Sequence, residues 1–335
     1  MEKLLILSIE SSCDDSSIAM TRITDGTLLY HKKISQELDH SIYGGVVPEL
    51  AARLHALALP KILEETQAYF DDLKAIAVTN EPGLSVSLVE GVVMAKALSV
   101  ALKLPILPIN HLRGHIYSLF LDQKTQFPLD VLLVSGGHTQ ILHIDDYDYI
   151  YIMATTLDDS FGESFDKVSK MLDLGYPGGP VVEQFAQKGD AHAFNFTVPL
   201  SNSPKMAFSF SGLKNQVRLC IEAHAPMSDA ICADVCASFQ RVAIVHLMQK
   251  LKKVYKTRTL HHLGVVGGAS ANLSLRAELE KFVQSHDASL LVAPLEYCSD
   301  NAAMIGRCAI DAYQLKRFVP MEEVLVHPRS EEFIK

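Results

Sequence analysis

One order of short elements occurs twice along this 335-residue chain, and it restricts the fold more than any single motif does. KLLILS (3–8) is an apolar strand that runs into the polar turn ESSCDDS. SIAMTRI and TLLYHKKI follow with the alternation of strands, joined through Thr24-Asp25-Gly26, whose Asp-Gly pair is a hairpin signal. VVPELAARLHALALPKILEETQAYF then has helical periodicity behind an early proline. AIAVTN returns to strand and SLVEGVVMAKALSVAL to helix. DVLLVS (130–135) restarts the series: the turn GGH, the strands TQILHI and YIYIMAT, helical segments, the strand LGVVGG (263–268), the helix NLSLRAELEKFVQ, the strand SLLVAP, and a last helix from about Asp300. No residue-level repeat accompanies the repeated order, so the duplication is one of pattern.

Strand, polar turn, two more strands, then alternating helix and strand describe an α/β ribonuclease-H-like unit. Two such units facing a cleft make the architecture of actin-like ATPases and sugar kinases. The expected division is a first unit over residues 1–125, with a C-terminal helix from about 300–335 packing back on it, and a second over 126–299. With 48% hydrophobic and 21% charged residues, the chain has a globular enzyme's composition and not that of a disordered segment. No apolar run reads as long enough to cross a membrane, and the apolar segment of MEKLLILSIESS is too short for a signal peptide. The six cysteines are scattered; only Cys232 and Cys236 sit close, at a helical spacing that suits core packing. A reduced, cytoplasmic protein with no membrane partner is expected. A net charge of −9 argues against holding nucleic acid by charge alone, yet leaves room for a local basic face. The one concentrated basic stretch, QKLKKVYKTR (249–258), reads first as a solvated helix end.

In such a fold the chemistry gathers where strands end and turns begin. NHLRGHIYSL sets His111 and His115 four positions apart, on one face of a helix if it is helical. The pair suits a transition metal, or is two ordinary surface histidines; Leu112 stands where the H-E-x-x-H of zinc proteases has its glutamate. Three glycine turns invite an anion: VSGGHTQ (134–140), GYPGGPVVEQF (175–185) and VVGGASANLSLR (265–276). Each alone is consistent with a tight turn, but three at strand ends and helix starts favour a nucleotide site.

Taken together, IESSCDDS, YGGVVPELAARLH, NHLRGH, LLVSGGHTQ, GESFDKVSKMLDLGYPGGP, FSFSGLK, GGASANLSLR and CSDNAAMI resemble the universal tRNA threonylcarbamoyladenosine synthesis transferases, formerly called O-sialoglycoprotein endopeptidases. The stretches run in the family's order from residue 9 to 305. The resemblance implies transfer of a threonylcarbamoyl group from threonylcarbamoyl-AMP to N6 of adenosine 37 in tRNAs reading codons that begin with A. It implies one divalent metal, iron first and zinc second, on His111, His115 and Asp300. It implies adenylate contacts from the backbone of Leu133, Val134, Ser135, Gly136 and Gly137, from Gly179, and from the side chains of Asp166, Glu183 and Asn272. It gives catalytic placement to Asp14 and Asp15. The implied partners are tRNA, a shorter inactive paralogue and a P-loop ATPase. The apolar VVMAKALSVALKL helix is where the likeness puts the pairing surface; read by itself, that helix is buried core. For tRNA, Lys205 and Lys214 around FSFSGLK are the first candidates and the 250–258 cluster the second.

Two departures stand out. The family's CDET is Cys13-Asp14-Asp15-Ser16 here, one methylene shorter at Asp15. Its GPGL is Glu81-Pro82-Gly83-Leu84, which puts a phosphate role for that loop in doubt. Two rival classes remain at this point. A metalloendopeptidase would have to recruit a base such as Glu163, and an actin-like ATPase or small-molecule kinase would hold magnesium through carboxylates and water.

Overall fold

A computed structural model describes residues 4–330 of the protein. The chain divides into two compact units: one runs up to Gln126 and resumes at Ala293, the other is Phe127–Val292. In the first, β1 (Leu5–Glu10), β2 (Asp15–Arg22) and β3 (Leu28–Ser35) form a meander. Then come α1 (Glu37–Ser41), α2 (Pro48–Glu64), β4 (Leu73–Glu81), α3 (Ser85–Leu102), β5 (Ile106–Asn110) and α4 (His111–Tyr117). The sheet order is β3-β2-β1-β4-β5, with β1 antiparallel to β2 and parallel to β4.

The second unit contains β6 (Leu129–Val134), β7 (Thr139–Ile144), β8 (Ile150–Thr156), α5 (Phe161–Met171), α6 (Gly178–Ala186), β9 (Ala207–Phe208), α7 (Ser211–His224) and α8 (Asp229–Val254). β10 (His262–Val266), α9 (Leu273–Gln284) and β11 (Ser289–Val292) complete it. Its sheet, β11-β10-β6-β7-β8-β9, repeats the first with β6 in the place of β1: antiparallel to its hairpin partner, parallel to the strand on its other side. The short β9 is the addition. The last helix, α10 (Ala302–Gln314), belongs to the first unit, and so does the loop from Ala293 that leads to it.

The strand period explains how the first sheet is covered. Leu5, Leu7 and Ile9 of β1 join Leu59 and Ile62 of α2 and Val92, Ala95 and Leu98 of α3 in one core. The alternate residues face the other way. There Ser8 donates 2.7 Å to the carbonyl of Ala302, and Gly306 lies so near Thr21 and Ser8 that a Cβ would meet their hydroxyl oxygens at 2.4 and 2.9 Å. α10 therefore seats on the sheet through small residues. Glu10, which ends β1 beyond the apolar run, has the parity of Ser8 and is fully buried.

The expectation that no apolar run could span a bilayer needs correction: α3 and α8 are both long and apolar enough by length and composition. Their charges are too sparse to interrupt the run. Both are packed as core helices nonetheless, α8 through Val235, Phe239, Val242, Leu247 and Leu251, and α3 through Leu88, Val92, Ala95 and Leu98. The opposite face of α3 is different. Val86, Val89, Val93, Ala97 and Val100, at spacings of three and four residues, stay exposed.

Candidate active site

α4 starts where β5 stops, and Asn110 makes the break. Its Oδ1 accepts from the amides of Leu112 (2.9 Å) and Arg113 (3.2 Å), an N-cap that fixes His111 in the first turn and His115 one turn on. The imidazoles meet edge to face, with centroids 4.6 Å apart. Gly114 between them lets α4 lie against α10, since a Cβ would sit 2.7 Å from Ile305 Cδ1. Asp300 precedes α10, whose cap Asn301 accepts from Met304 N and donates 2.7 Å to the carbonyl of Ser299. Asp300 Oδ1 is thereby held 3.4 Å from His111 Nε2 and 3.1 Å from His115 Nε2. One ligand atom from each of the three residues lies within 4.8 Å of the others, the single such group found among the described residues.

Burial disfavours the imidazolium of His111, but Asp300 and Glu10 outweigh it and raise that group well above the usual range. Burial also opposes ionisation of Asp300, yet His111 and His115 hold it well below an ordinary carboxyl. At His115 burial wins, and the ring is pushed toward its neutral form. Neither nitrogen of His115 makes a hydrogen bond, Nε2 lying close to Asp300 without the geometry of one. A buried imidazole left so is costly unless its lone pair has another use. Two imidazoles and a carboxylate converging, with other positions open, fit a divalent zinc or iron ion.

Other groups surround this triad. Asp15, at the start of β2, pairs with Lys33 Nζ at 2.9 Å, and Lys33 also donates 2.9 Å to Ser299 Oγ beside Asp300. Burial, opposed by Lys33, pushes the Asp15 carboxyl up to about 6. Burial raises Asp14 too. The departure at Glu81 has a local explanation: its Oε1 accepts 3.0 Å from Asn110 Nδ2, so this acid steadies the cap of the histidine helix. Glu10, which the sequence reading left out, lies 3.1 Å from His111 Nδ1. Burial would raise its carboxyl, but His111 and the hydrogen bonds keep it lowered. An acid closing an apolar strand was the available signal.

In the second unit the three glycine turns come together at the ends of the inner strands β6 and β10. The turn Ser135–His138 after β6 is braced by Ser160, the cap of α5, which donates to the carbonyls of Ser135 (3.1 Å) and Gly136 (2.7 Å). Gly162 and Gly267 press on the same strand end, where added Cβ atoms would lie 2.6 Å from Ser135 O and 2.3 Å from Val134 O; Gly267 also has φ +91°. Gly136, Gly137, Gly179 and Gly268 face open space. Asp166 Oδ1 accepts from Gly178 N (2.7 Å), and Glu183 Oε1 from Leu273 N (2.7 Å). Asn272 caps α9 through Leu275 N (2.8 Å) and donates 2.8 Å to Gln240 Oε1. The three side chains thus tie α5 to the start of α6, α6 to the start of α9, and the start of α9 to α8, and each spends part of its hydrogen-bonding capacity there. Glu163 lies in this unit too, 2.9 Å from Lys167, whereas the histidines lie in the first.

FSFSGLK is a supported turn. Asp158 accepts from Ser209 Oγ (2.6 Å) and from the amides of Phe210 (2.7 Å) and Ser211 (3.2 Å). Lys214 pairs with Asp159 at 2.5 Å, Lys250 and Lys253 donate to carbonyls of the 200–205 loop, and Lys205 is exposed. His246 accepts from Ser209 N at 3.1 Å, and burial, aided by Lys250, lowers its ring to about 4. The sign follows. Between the unfolded value of 6.5 and about 4 the unfolded chain binds a proton that the folded one refuses, so stability is intact above 6.5 and lost as pH falls. The loss at pH 5 should reach about 2 kcal/mol. Urea midpoints at pH 7 and pH 5 check it: His246→Gln, which keeps an acceptor for Ser209, should flatten the difference.

Comparison with known proteins bears on all of this. The sequence profile described as tRNA N6-adenosine threonylcarbamoyltransferase matches residues 27–307. Curated proteins of that name include one from Wolinella succinogenes, 60% identical over 327 residues, covering 97% of this chain and 99% of the relative. One from Helicobacter pylori is 58% identical, covering 97% and 98%. Among solved structures, full-length HypF in its phosphate- and nucleotide-bound form superposes with a TM-score of 0.63 at 13% identity, over 94% of this chain and 47% of HypF. Component A of (R)-2-hydroxyglutaryl-CoA dehydratase from Acidaminococcus fermentans gives 0.55 at 12%, over 94% and 99%. At such identities these two likenesses concern the fold alone.

Proposed function

The chain belongs to the tRNA N6-adenosine threonylcarbamoyltransferase family, acyltransferases that act on tRNA, and from that premise we propose how its residues divide the reaction. The donor is threonylcarbamoyl-AMP, the acceptor is N6 of adenosine 37 in tRNAs reading codons that begin with A, and AMP leaves. His111, His115 and Asp300 hold one divalent metal, iron in the first place and zinc in the second. Bound there, it supplies Lewis-acid polarisation of the carbamoyl carbonyl. The observation that carries this reading is His115, buried with both ring nitrogens unspent beside Asp300 and His111.

Within the second unit, the backbone from Leu133 to Gly137 and at Gly179 lies against the adenylate phosphate and sugar, where the glycines leave room. Asp166 and Glu183 accept from ribose hydroxyls, and Asn272 meets the adenine with the N–H its cap leaves over. Asp14 and Asp15 orient the attacking amine, and Asp15, at about 6, can take up the proton that amine loses. No protein nucleophile is required, because the mixed anhydride is already activated. A loop base such as adenosine 37 can be unstacked without opening a duplex. Lys205 is the first candidate for a tRNA phosphate, since Lys214, Lys250 and Lys253 already have partners. We place the enzyme in the cytoplasm, with a shorter inactive paralogue and a P-loop ATPase as partners.

The direct test is calorimetry with a non-hydrolysable adenylate analogue. Asp166→Ala and Asn272→Ala should each lose about 1–3 kcal/mol of binding, roughly 5- to 150-fold, with tRNA affinity unchanged. Urea midpoints report the separate loss of the Asn272 cap, about 1 kcal/mol. Unchanged analogue affinity in both variants would overturn the adenylate assignment.

A further inference from the structure

Glu10 is a buried carboxylate that meets His111 as well as two donors of its own sheet and turn. It ends the central strand of the first sheet, is fully buried, and meets two donors and one histidine nitrogen. Its Oε1 accepts from Ser12 N at 2.6 Å. Its Oε2 accepts from Thr79 Oγ1 at 2.6 Å and lies 3.1 Å from His111 Nδ1. Ser12 Oγ is also 3.1 Å from that nitrogen. A neutral amide could not accept at both ends, from Ser12 N on one and Thr79 Oγ1 on the other, because one of its two ends is itself a donor. The environment therefore selects the anion.

We propose that Glu10 is a positioning residue that sets the orientation of His111 and keeps the proton on Nδ1, so that Nε2, on the side of Asp300 and His115, is the nitrogen that yields its proton and gives its lone pair to a metal. The inference rests on the metal-site reading above. A carboxylate on the far nitrogen of a ligating imidazole raises that ligand's basicity and removes the entropy of choosing a tautomer, and loss of such a partner typically costs 10- to 100-fold in metal affinity. The strand supplies the precision. Glu10 shares with Ser8 the face of β1 on which α10 lies, while His111 is fixed at the start of α4 by the Asn110 cap.

The test titrates the metal-stripped full-length chain with Zn2+ against a chromophoric chelator. Glu10→Gln should bind 10- to 100-fold more weakly than wild type. Long-range proton–nitrogen spectra of histidine-labelled protein should lose the fixed Nδ1–H form at His111. A His111→Ala background should abolish the effect of Glu10→Gln on affinity, and a His115→Ala background should preserve it. Wild-type affinity in Glu10→Gln, or an equal loss in both backgrounds, overturns the proposal and leaves the metal site standing. Should Glu10→Gln not fold, Glu10→Asp keeps the charge but withdraws it by one methylene; an unchanged Zn2+ affinity there overturns the proposal equally. A wild-type chain that takes up no stoichiometric Zn2+ or iron removes the metal-site reading itself, and the role of Glu10 with it.

Discussion

Replacing His111 and His115 together by alanine should remove the bound metal and more than a hundredfold of the transfer rate, with the fold retained. The size follows from the ligand count. His111, His115 and Asp300 offer three donors, and the double change leaves only the carboxylate. Outer partners of metal ligands alone commonly cost 10- to 100-fold, so the ligands should cost more. Retention of the fold follows from hydrogen bonding. His115 has no hydrogen bond to lose, and the helix carrying both residues is capped by Asn110, whose bonds do not involve either ring. What disappears is packing around two buried rings and the contacts of His111 Nδ1 with Glu10 and Ser12, in a first unit whose main apolar core lies between β1, α2 and α3 and where Glu10 keeps Ser12 N and Thr79 as partners. Elemental analysis of the purified double variant, with circular dichroism and a tRNA nucleoside assay, decides it. Full iron or zinc occupancy in that variant would end the assignment.

How far the sequence could carry this reading depends on the residue concerned. The paired strand orders were legible because hairpin signals and apolar runs are local, and both sheets follow them. The histidine spacing was legible as a helical face, but not what the face met. Asp300 lies 185 residues beyond His115 and reaches it only because Gly114 and the small residues of α10 let two helices approach. Glu10 was passed over because its function depends on strand parity and on a neighbour 101 positions away. Glu81 could only be seen as a departure; its bond to Asn110 needed coordinates. Asp166, Glu183 and Asn272 were chosen by likeness; that each also ties a helix start to a neighbouring helix depends on partners 12, 90 and 32 positions away.

A charge placed on the exposed valine face of α3 should abolish pairing with the shorter paralogue without unfolding the chain. VVMAKALSVALKL has two sides: one is buried core, and the other is the face we propose for pairing. Leu88, Val92, Ala95 and Leu98 are buried, and Val86, Val89, Val93 and Val100 are 39–64% exposed. The exposed set recurs at three- and four-residue spacing, as a helix does when it packs on another helix. Leu57 of α2, 61% exposed, adds to the apolar surface of this unit. Covering one valine is worth about 1 kcal/mol or more. Val93→Asp forfeits that gain and buries an unpaired carboxylate besides, a combined penalty of several kcal/mol and at least a hundredfold in Kd. In the single chain Val93 touches solvent, so the same change should move the urea midpoint by less than about 0.5 kcal/mol. Sedimentation of the wild type and Val93→Asp with the paralogue, at one salt concentration, separates the outcomes. If the variant pairs as tightly as the wild type, the partner binds elsewhere, and the apolar stripe of α3 needs another occupant.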